Sequence, residues 1–411
     1  MENAPASIGY PPVRVFQSTS TDPFMNLALE DWLYRTLPAG AGRDGAGAAR
    51  DGGGAGHDEA GRNGIPEAGT SPEGSAQSER RLFLYRNDPC VVIGRHQNPW
   101  IECDLAAMQR DGVPLVRRQS GGGTVYHDTG NLNWCFLTSR EQYSQDENFR
   151  IVQNALAEFG INGVRSGRND ILVDGRKVSG SAFKVGRERC FHHGTLLMNA
   201  DLEKLLAYLT ARTRQLESKG IDSVRSTVAN LQEFSIDIDF ESLCAAQVRS
   251  FTAFYHPDAG TEVVNAGTEV EKTGTEVTAG SKMTVGAGDT AGTEVTMIDS
   301  VPEAQEYYDH LQSWEWQFAK TPDFTHTLIM EDGVYQTVIR LDIHRGLIRG
   351  VEMEIDAAWG TEVEQILDDA VTGIRYSGPL IAAGIEEAAA RSADFQEYLG
   401  RMAEFIGTEV E

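Results

Sequence analysis

The segment Arg117-Arg118-Gln119-Ser120-Gly121-Gly122-Gly123-Thr124-Val125-Tyr126-His127-Asp128-Thr129-Gly130-Asn131-Leu132-Asn133 concentrates the chemistry of this 411-residue chain. Consecutive glycines let a backbone turn approach a ligand closely and aim bare N–H groups at it. The arginines before them supply guanidinium forks suited to phosphate or carboxylate. A His-Asp pair and two asparagines follow at once. A loop that only packs needs none of this, so the implied ligand is anionic and carries a phosphate.

A second segment, Gly167 to Phe183, contains Asn169-Asp170 and Lys177. A lysine on a strand, flanked by small residues, can project into a pocket. There its compact charge lets a carboxylate and a phosphate meet despite their like charge. An exposed hairpin lysine is the ordinary alternative. The nearby glycine loop and Asn169-Asp170 favour the functional reading of Lys177. His192 and His193 are adjacent on a strand and point to opposite faces, so one of them at most faces a pocket. No spacing matches a metal motif such as H-E-x-x-H or paired C-x-x-C. Of the five scattered cysteines, Cys190 alone falls in a motif; a buried structural thiol is preferred there over a nucleophile.

The elements that must position these groups follow from pattern. Asp22-Pro23 opens a helix that runs to about Leu37. Residues 39–79 are Gly-, Ala- and Ser-rich and read as a disordered insertion. Strands are expected at Leu82–Arg86, Cys90–Gly94, Val113–Arg118, Leu132–Thr138 and Phe191–Met198. Helices are expected at Asp104–Arg110, Phe149–Phe159 and Phe240–Tyr255. Asp174-Gly175 suits a tight turn joining Ile171–Val173 to Arg176–Phe183. A Gly-Thr-Glu-Val tetrad begins at Gly260, Gly267, Gly274 and Gly292, so 257–300 reads as a flexible linker; the tetrad recurs at Gly360 and Gly407. From Val301 a second domain is expected. It has Trp314 and Trp316 alternating on a strand, a hairpin of Tyr335–Ile343 with Leu347–Ile355, and helices near Thr361–Val371 and Ile385–Met402.

A formal charge of −25 argues against nonspecific nucleic-acid or membrane binding. Between Arg165 and Arg189, however, seven basic residues face three acidic ones, which suggests an anionic ligand or an acidic docking partner. The cysteine pattern fits a reducing compartment. No apolar run is long enough for a transmembrane helix, and no import signal is evident at the N-terminus.

The two chemical motifs resemble those of lipoate–protein ligases and lipoyltransferases, within the wider biotin/lipoate attachment group. Pro23–Arg35, Val91–Trp100, Phe191–Asp201 and Ser223–Leu231 add to the resemblance, in the order the family shows. The Gly94–Trp100 run and Thr124-Val125-Tyr126 look most like animal mitochondrial lipoyltransferases. The resemblance implies an α+β fold: a biotin/lipoate-ligase-like catalytic domain with a mixed or antiparallel sheet over 10–256, the 257–300 linker, and a small α+β accessory domain over 301–411. It implies transfer of a lipoyl group from lipoyl-AMP, itself made from lipoate and ATP with Mg2+ where the activation step is present. The acceptor is a lysine of an acidic lipoyl domain, as in 2-oxoacid dehydrogenase acyltransferases and the glycine cleavage H protein. Lys177 aligns with the family's essential lysine. Arg118, Ser120, Gly121, Gly122 and Gly123 would hold the lipoyl-nucleotide, His127, Asn131 and His193 align with pocket residues, and Asn169-Asp170 would face the base or ribose. A monomer is expected, with mitochondrial location implied by the resemblance and a cytoplasmic one left open. The alternatives are an octanoyltransferase working through Cys190, a biotin ligase, and a noncatalytic lipoyl-domain binder.

Overall fold

The computed structural model describes residues 10–39, 78–167, 169–209, 216–218, 226–257, 282–285 and 293–410. Most of the 39–79 insertion and of the 257–300 linker, together with Arg168 and Ser223–Arg225, lies outside them.

Among the described residues, nine strands form one mixed sheet. Its order is Lys282–Val285, Thr293–Ile298, Val13–Ser18, Arg80–Tyr85, Asn131–Ser139, Arg189–Leu197, Arg176–Val185, Asp170–Val173 and Val164–Arg165. Val13–Ser18 pairs in parallel with both neighbours, and the remaining pairs are antiparallel. The strand Asn131–Ser139 is buried along its whole length, as a central strand covered on both faces must be. One face is covered by Gln145–Ala157 and Phe240–Tyr255, through Phe149, Val152, Leu243 and Phe251. The other carries the helix Pro23–Thr36, through Leu29 and Leu33. Asp22 caps that helix, its carboxylate accepting from the Phe24 and Met25 amides.

A three-stranded sheet (Leu115–Arg117, Cys90–Ile93, Val125–His127) holds both ends of the glycine loop, with Val125–His127 at its edge. The hairpin turn has Asp174 and Gly175 at φ 49° and 77°, as a primed turn requires. It aims Arg176–Val185 back along the sheet.

A separate four-stranded antiparallel sheet (Leu216–Ser218, Phe324–Glu331, Gln336–His344, Leu347–Ile355) is covered by helices Gly360–Val371, Gly378–Arg391 and Gln396–Glu409; most of it falls in the 301–411 span read as an accessory domain, but its edge strand Leu216–Ser218 comes from the 10–256 span. Trp100, from the catalytic region, packs into its core, with ring centroids 5.2–5.4 Å from Phe318, Phe324 and Tyr376.

Four sequence expectations are corrected. Within the stretch read as linker, Thr293–Ile298 is a strand of the nine-stranded sheet, because Val295 buries in the core on one face and Ile298 in the core on the other. Trp314–Gln317 is one helical turn capped by Ser313, not a strand. Ile385–Met402 is not one helix: it divides between Gly378–Arg391 and Gln396–Glu409. The helix read as Phe149–Phe159 spans Gln145–Ala157, since Ser144 caps it a turn earlier.

Candidate active site

Four strands build the floor of the main cavity. Tyr85 pairs with Asn133, Asn133 pairs with Thr195, and the Gly180 amide donates to Thr195 Oγ1 (3.2 Å). At the usual strand spacing this row spans roughly 14 Å. Above it lies a cavity of about 560 Å³. At one end stand Leu27, Tyr85 and Val92, with Arg118, His127 and His193; at the other stand Lys177, Asn169, Asp170 and Ser226. A second cavity of about 420 Å³ shares Thr124, Val125, Lys177, Gly180, Thr195 and Ser226 with the first. Leu197, Leu205, Leu209 and Tyr126 give it an apolar wall.

Lys177 stands where the two cavities meet. Its backbone is fixed by N–H to Thr227 O (2.8 Å) and by O to the Ala229 amide (3.0 Å). Its ammonium pairs with Asp170 Oδ1 at 2.9 Å, with both side chains mostly buried. Gly180, three residues along the same strand, leaves room for that side chain: a Cβ there would lie 2.9 Å from both Lys177 Cε and Nζ and would displace them. Asn169 adopts the left-handed region (φ 65°), and its carbonyl accepts from Ser181 Oγ.

The glycine loop is held from beneath. Arg118 is buried, and its guanidinium donates to Ser120 Oγ and to the Val92, Gly121 and Gly123 carbonyls. Burial lowers its pKa to about 10, which leaves it charged at neutral pH. Gly94 is required where the loop crosses, since a Cβ there would sit 2.2 Å from Gly122 O. Gly122 itself has φ 87°. Arg117 points the other way. It donates to the Gly94, Arg95 and Gln97 carbonyls, to Gln317 O and to Thr321 Oγ1, while Trp316 Nε1 donates to the Arg117 carbonyl. The base of the loop is thereby tied to the start of the accessory region.

The adjacent histidines divide as strand alternation predicts. His193 lines the cavity, with Nδ1 at 2.9–3.0 Å from both Glu30 oxygens and Nε2 at 2.7 Å from Ser120 Oγ. His192 is buried among Trp134 and Phe149, and burial lowers its pKa to about 3. His127 also lines the cavity; burial, with Arg118 and His193 nearby, lowers its pKa to about 3. Its Nδ1 meets Asn87 Nδ2 at 3.0 Å, and Asn87 Oδ1 accepts from Asn26. Since Asn87 donates, His127 carries its proton on Nε2.

Of the residues predicted from sequence, Arg118, Gly122, Gly123, His127, Asn169, Asp170, Lys177 and His193 line the main cavity. Ser120, Gly121 and Asn131 stand behind it: Ser120 bonds Arg118 and His193, the Gly121 carbonyl accepts from Arg118, and Asn131 Nδ2 donates to Asn133 Oδ1. Sequence reasoning missed Glu30, Tyr85 and Asn87, and gave no role to Asn133, the second asparagine of the motif, which lines the cavity. Polar residues on the buried face of the first helix, Asn26 and Glu30 one turn apart, were the available signal. Cys190 is buried and does not line the main cavity, and burial raises its thiol pKa. Among the described residues no group of three or more His, Cys, Asp or Glu could share a metal ion.

Similarity to known proteins agrees with this geometry. The family model of the lipoyl protein ligase A/B catalytic domain matches residues 70–252. Over 402 residues the chain is 35% identical to lipoate-protein ligase A of Psychrobacter cryohalolentis, covering 97% of this chain and 99% of that protein. Over 407 residues it is 32% identical to lipoate-protein ligase A of Bdellovibrio bacteriovorus, with 97% and 99% covered. The crystal structure of P. falciparum LipL1 in complex with lipoate matches with a TM-score of 0.52 at 26% identity, covering 97% of this chain and 99% of that one. Both sequence relatives are bacterial, so they lend no support to the animal mitochondrial likeness drawn from Gly94–Trp100. The chain is an enzyme, and it belongs to the lipoate–protein ligase family.

Proposed function

We propose that this enzyme joins lipoate to AMP and then passes the lipoyl group to a lysine of an acidic lipoyl domain. The observation that carries this reading is the position of Lys177 at the junction of two cavities of different character. The acyl chain fits the row from Gly180 to Tyr85, with its ring end against Leu27, Tyr85 and Val92. The nucleotide fits the second cavity. There the edge strand Val125–His127 has a free side whose backbone groups can bond a purine edge, and Leu197, Leu205 and Leu209 can cover its face.

In the first step a lipoate carboxylate oxygen attacks the α-phosphorus of ATP, and pyrophosphate leaves. Lys177 lies between the two anions and lowers their repulsion. In the second step the acceptor amine attacks the carbonyl carbon, the C–O bond to AMP breaks, and the amine loses a proton to solvent. The Lys177 ammonium then stabilises charge on the carbonyl oxygen and on the departing phosphate, while Asp170 keeps it oriented. Mg2+ bound with ATP would offset phosphate charge in the first step.

Partner docking is supported by the rim. Phe183 and Val185 are exposed beside the cavity-lining Ser181 and Ala182, with Arg187 exposed just beyond. An apolar and basic edge of this kind suits an acidic domain presenting a lysine. The Cys190 thioester alternative is disfavoured, because that thiol is buried away from the main cavity.

The activation step is tested by lipoate-dependent exchange of radiolabelled pyrophosphate into ATP. Exchange is expected. Its absence, together with failure to bind synthetic lipoyl-AMP, would overturn the proposal.

A further inference from the structure

We propose that Glu30 is a positioning residue for the acyl end of the reaction, acting on the glycine loop through His193 and Ser120. This rests on the lipoyl-adenylate reading above. Glu30 lies on the buried face of the helix Pro23–Thr36 and is 4% exposed. A carboxylate so far from water is costly unless its lone pairs are used. Both oxygens are used here, by residues that line the main cavity: His193 Nδ1 at 2.9 and 3.0 Å, and the Tyr85 hydroxyl at 3.4 Å.

With Glu30 as a carboxylate and His193 as the neutral imidazole, the bonds run one way. A carboxylate only accepts, so His193 Nδ1 carries a proton. In the neutral imidazole Nε2 then accepts from the Ser120 hydroxyl at 2.7 Å. The Ser120 oxygen accepts from Arg118 Nε at 3.0 Å, and Arg118 also holds the Gly121 and Gly123 carbonyls. One chain of donors therefore runs from the loop to the helix: Arg118 to Ser120, Ser120 to His193, His193 to Glu30. Without the Glu30 carboxylate the proton is free to move to His193 Nε2, Ser120 loses its acceptor, and the loop is no longer set over the acyl chain. The same helix fixes the cavity's other histidine. Asn26, one turn earlier, holds Asn87, which fixes the proton of His127.

The test is a double-mutant cycle of Glu30→Leu, which leaves His193 Nδ1 no acceptor, and Ser120→Ala, reading lipoate affinity by calorimetry, KM and kcat for lipoate, and the thermal midpoint. Each single variant is expected to weaken lipoate binding and raise its KM about ten-fold, with kcat changed less. The double variant is expected to show about the same ten-fold loss, because one chain is cut twice. Multiplied losses approaching a hundred-fold would overturn the proposal. So would an unchanged lipoate affinity in Glu30→Leu. Should Glu30→Leu fail to fold, His193→Leu takes its place in the cycle, and multiplied losses count against the proposal in the same way. The affinity arm separates the two claims. If the wild-type enzyme binds lipoate but transfers nothing, the proposed function falls while the cycle still decides the role of Glu30.

Discussion

Replacing Lys177 by alanine removes the cation at the cavity junction and little else. The side chain makes an ion pair with Asp170 at 2.9 Å, whereas the backbone bonds to Thr227 and Ala229 do not depend on it. An ammonium at that range acts on a full opposite charge with about 6 kcal/mol at an effective dielectric near 20. A carbonyl oxygen gaining roughly half a charge on the way to the transition state would lose about 3 kcal/mol of stabilisation, or on the order of a hundred-fold in rate. Loss of two bonded anions' shared cation adds to this, so a fall of two to three orders of magnitude (~10²–10³) is expected. The assay is single-turnover transfer from synthetic lipoyl-AMP to an apo lipoyl domain, read by intact mass. Far-ultraviolet circular dichroism and the thermal midpoint should stay close to wild type. A Lys177→Ala enzyme that transfers within about three-fold of wild type would refute the reasoning, since electrostatic stabilisation of this size cannot be absent from a step it controls.

Gly180→Ala should reproduce much of that loss, because its Cβ would meet Lys177 Cε and Nζ at 2.9 Å and push the ammonium aside; retained turnover at wild-type KM would contradict the packing. Cys190→Ser should keep transfer within about two-fold by the same mass assay, apart from the stability cost of a buried hydroxyl; abolished transfer in a folded variant would revive the thioester route. His127 and His192 have folded pKa values near 3 against an unfolded value of 6.5, so the unfolded chain binds more protons between those limits. Their stabilisation is complete above pH 6.5 and is lost as pH falls toward 3, at roughly 1.4 kcal/mol per pH unit for each residue. Urea midpoints measured at pH 7, 6 and 5 should therefore fall, and His192→Gln should flatten the slope.

Much of the catalytic half was legible because local chemistry and fold agree there. Asp22-Pro23 predicts the start of the first helix, Asp174-Gly175 predicts the turn that aims Lys177, and strand alternation predicts that one of His192 and His193 leaves the cavity. The partners of these groups were not legible. Glu30, Asn87 and Tyr85 reach the site across 163, 40 and 55 residues of chain, separations that no local pattern encodes. The tryptophans at 314 and 316 were misread because an i, i+2 pair carries no period over one turn, and Ser313 decides the outcome by capping a helix. Thr293–Ile298 was hidden by the repeated tetrad. Its side chains alternate as a strand requires, yet the same Gly-Thr-Glu-Val opens the helix Gly360–Val371 and closes Gln396–Glu409, with Val410 as its C-cap. The tetrad takes whatever conformation its neighbours impose.

The most direct test of the central claim is the intact mass of an apo lipoyl domain after incubation with the purified full chain, lipoate, ATP and magnesium. The account predicts one lipoyl mass increase, mapped by peptide sequencing to a single lysine and absent without ATP. An unmodified acceptor, both in that mixture and with lipoyl-AMP supplied in place of lipoate and ATP, would contradict it.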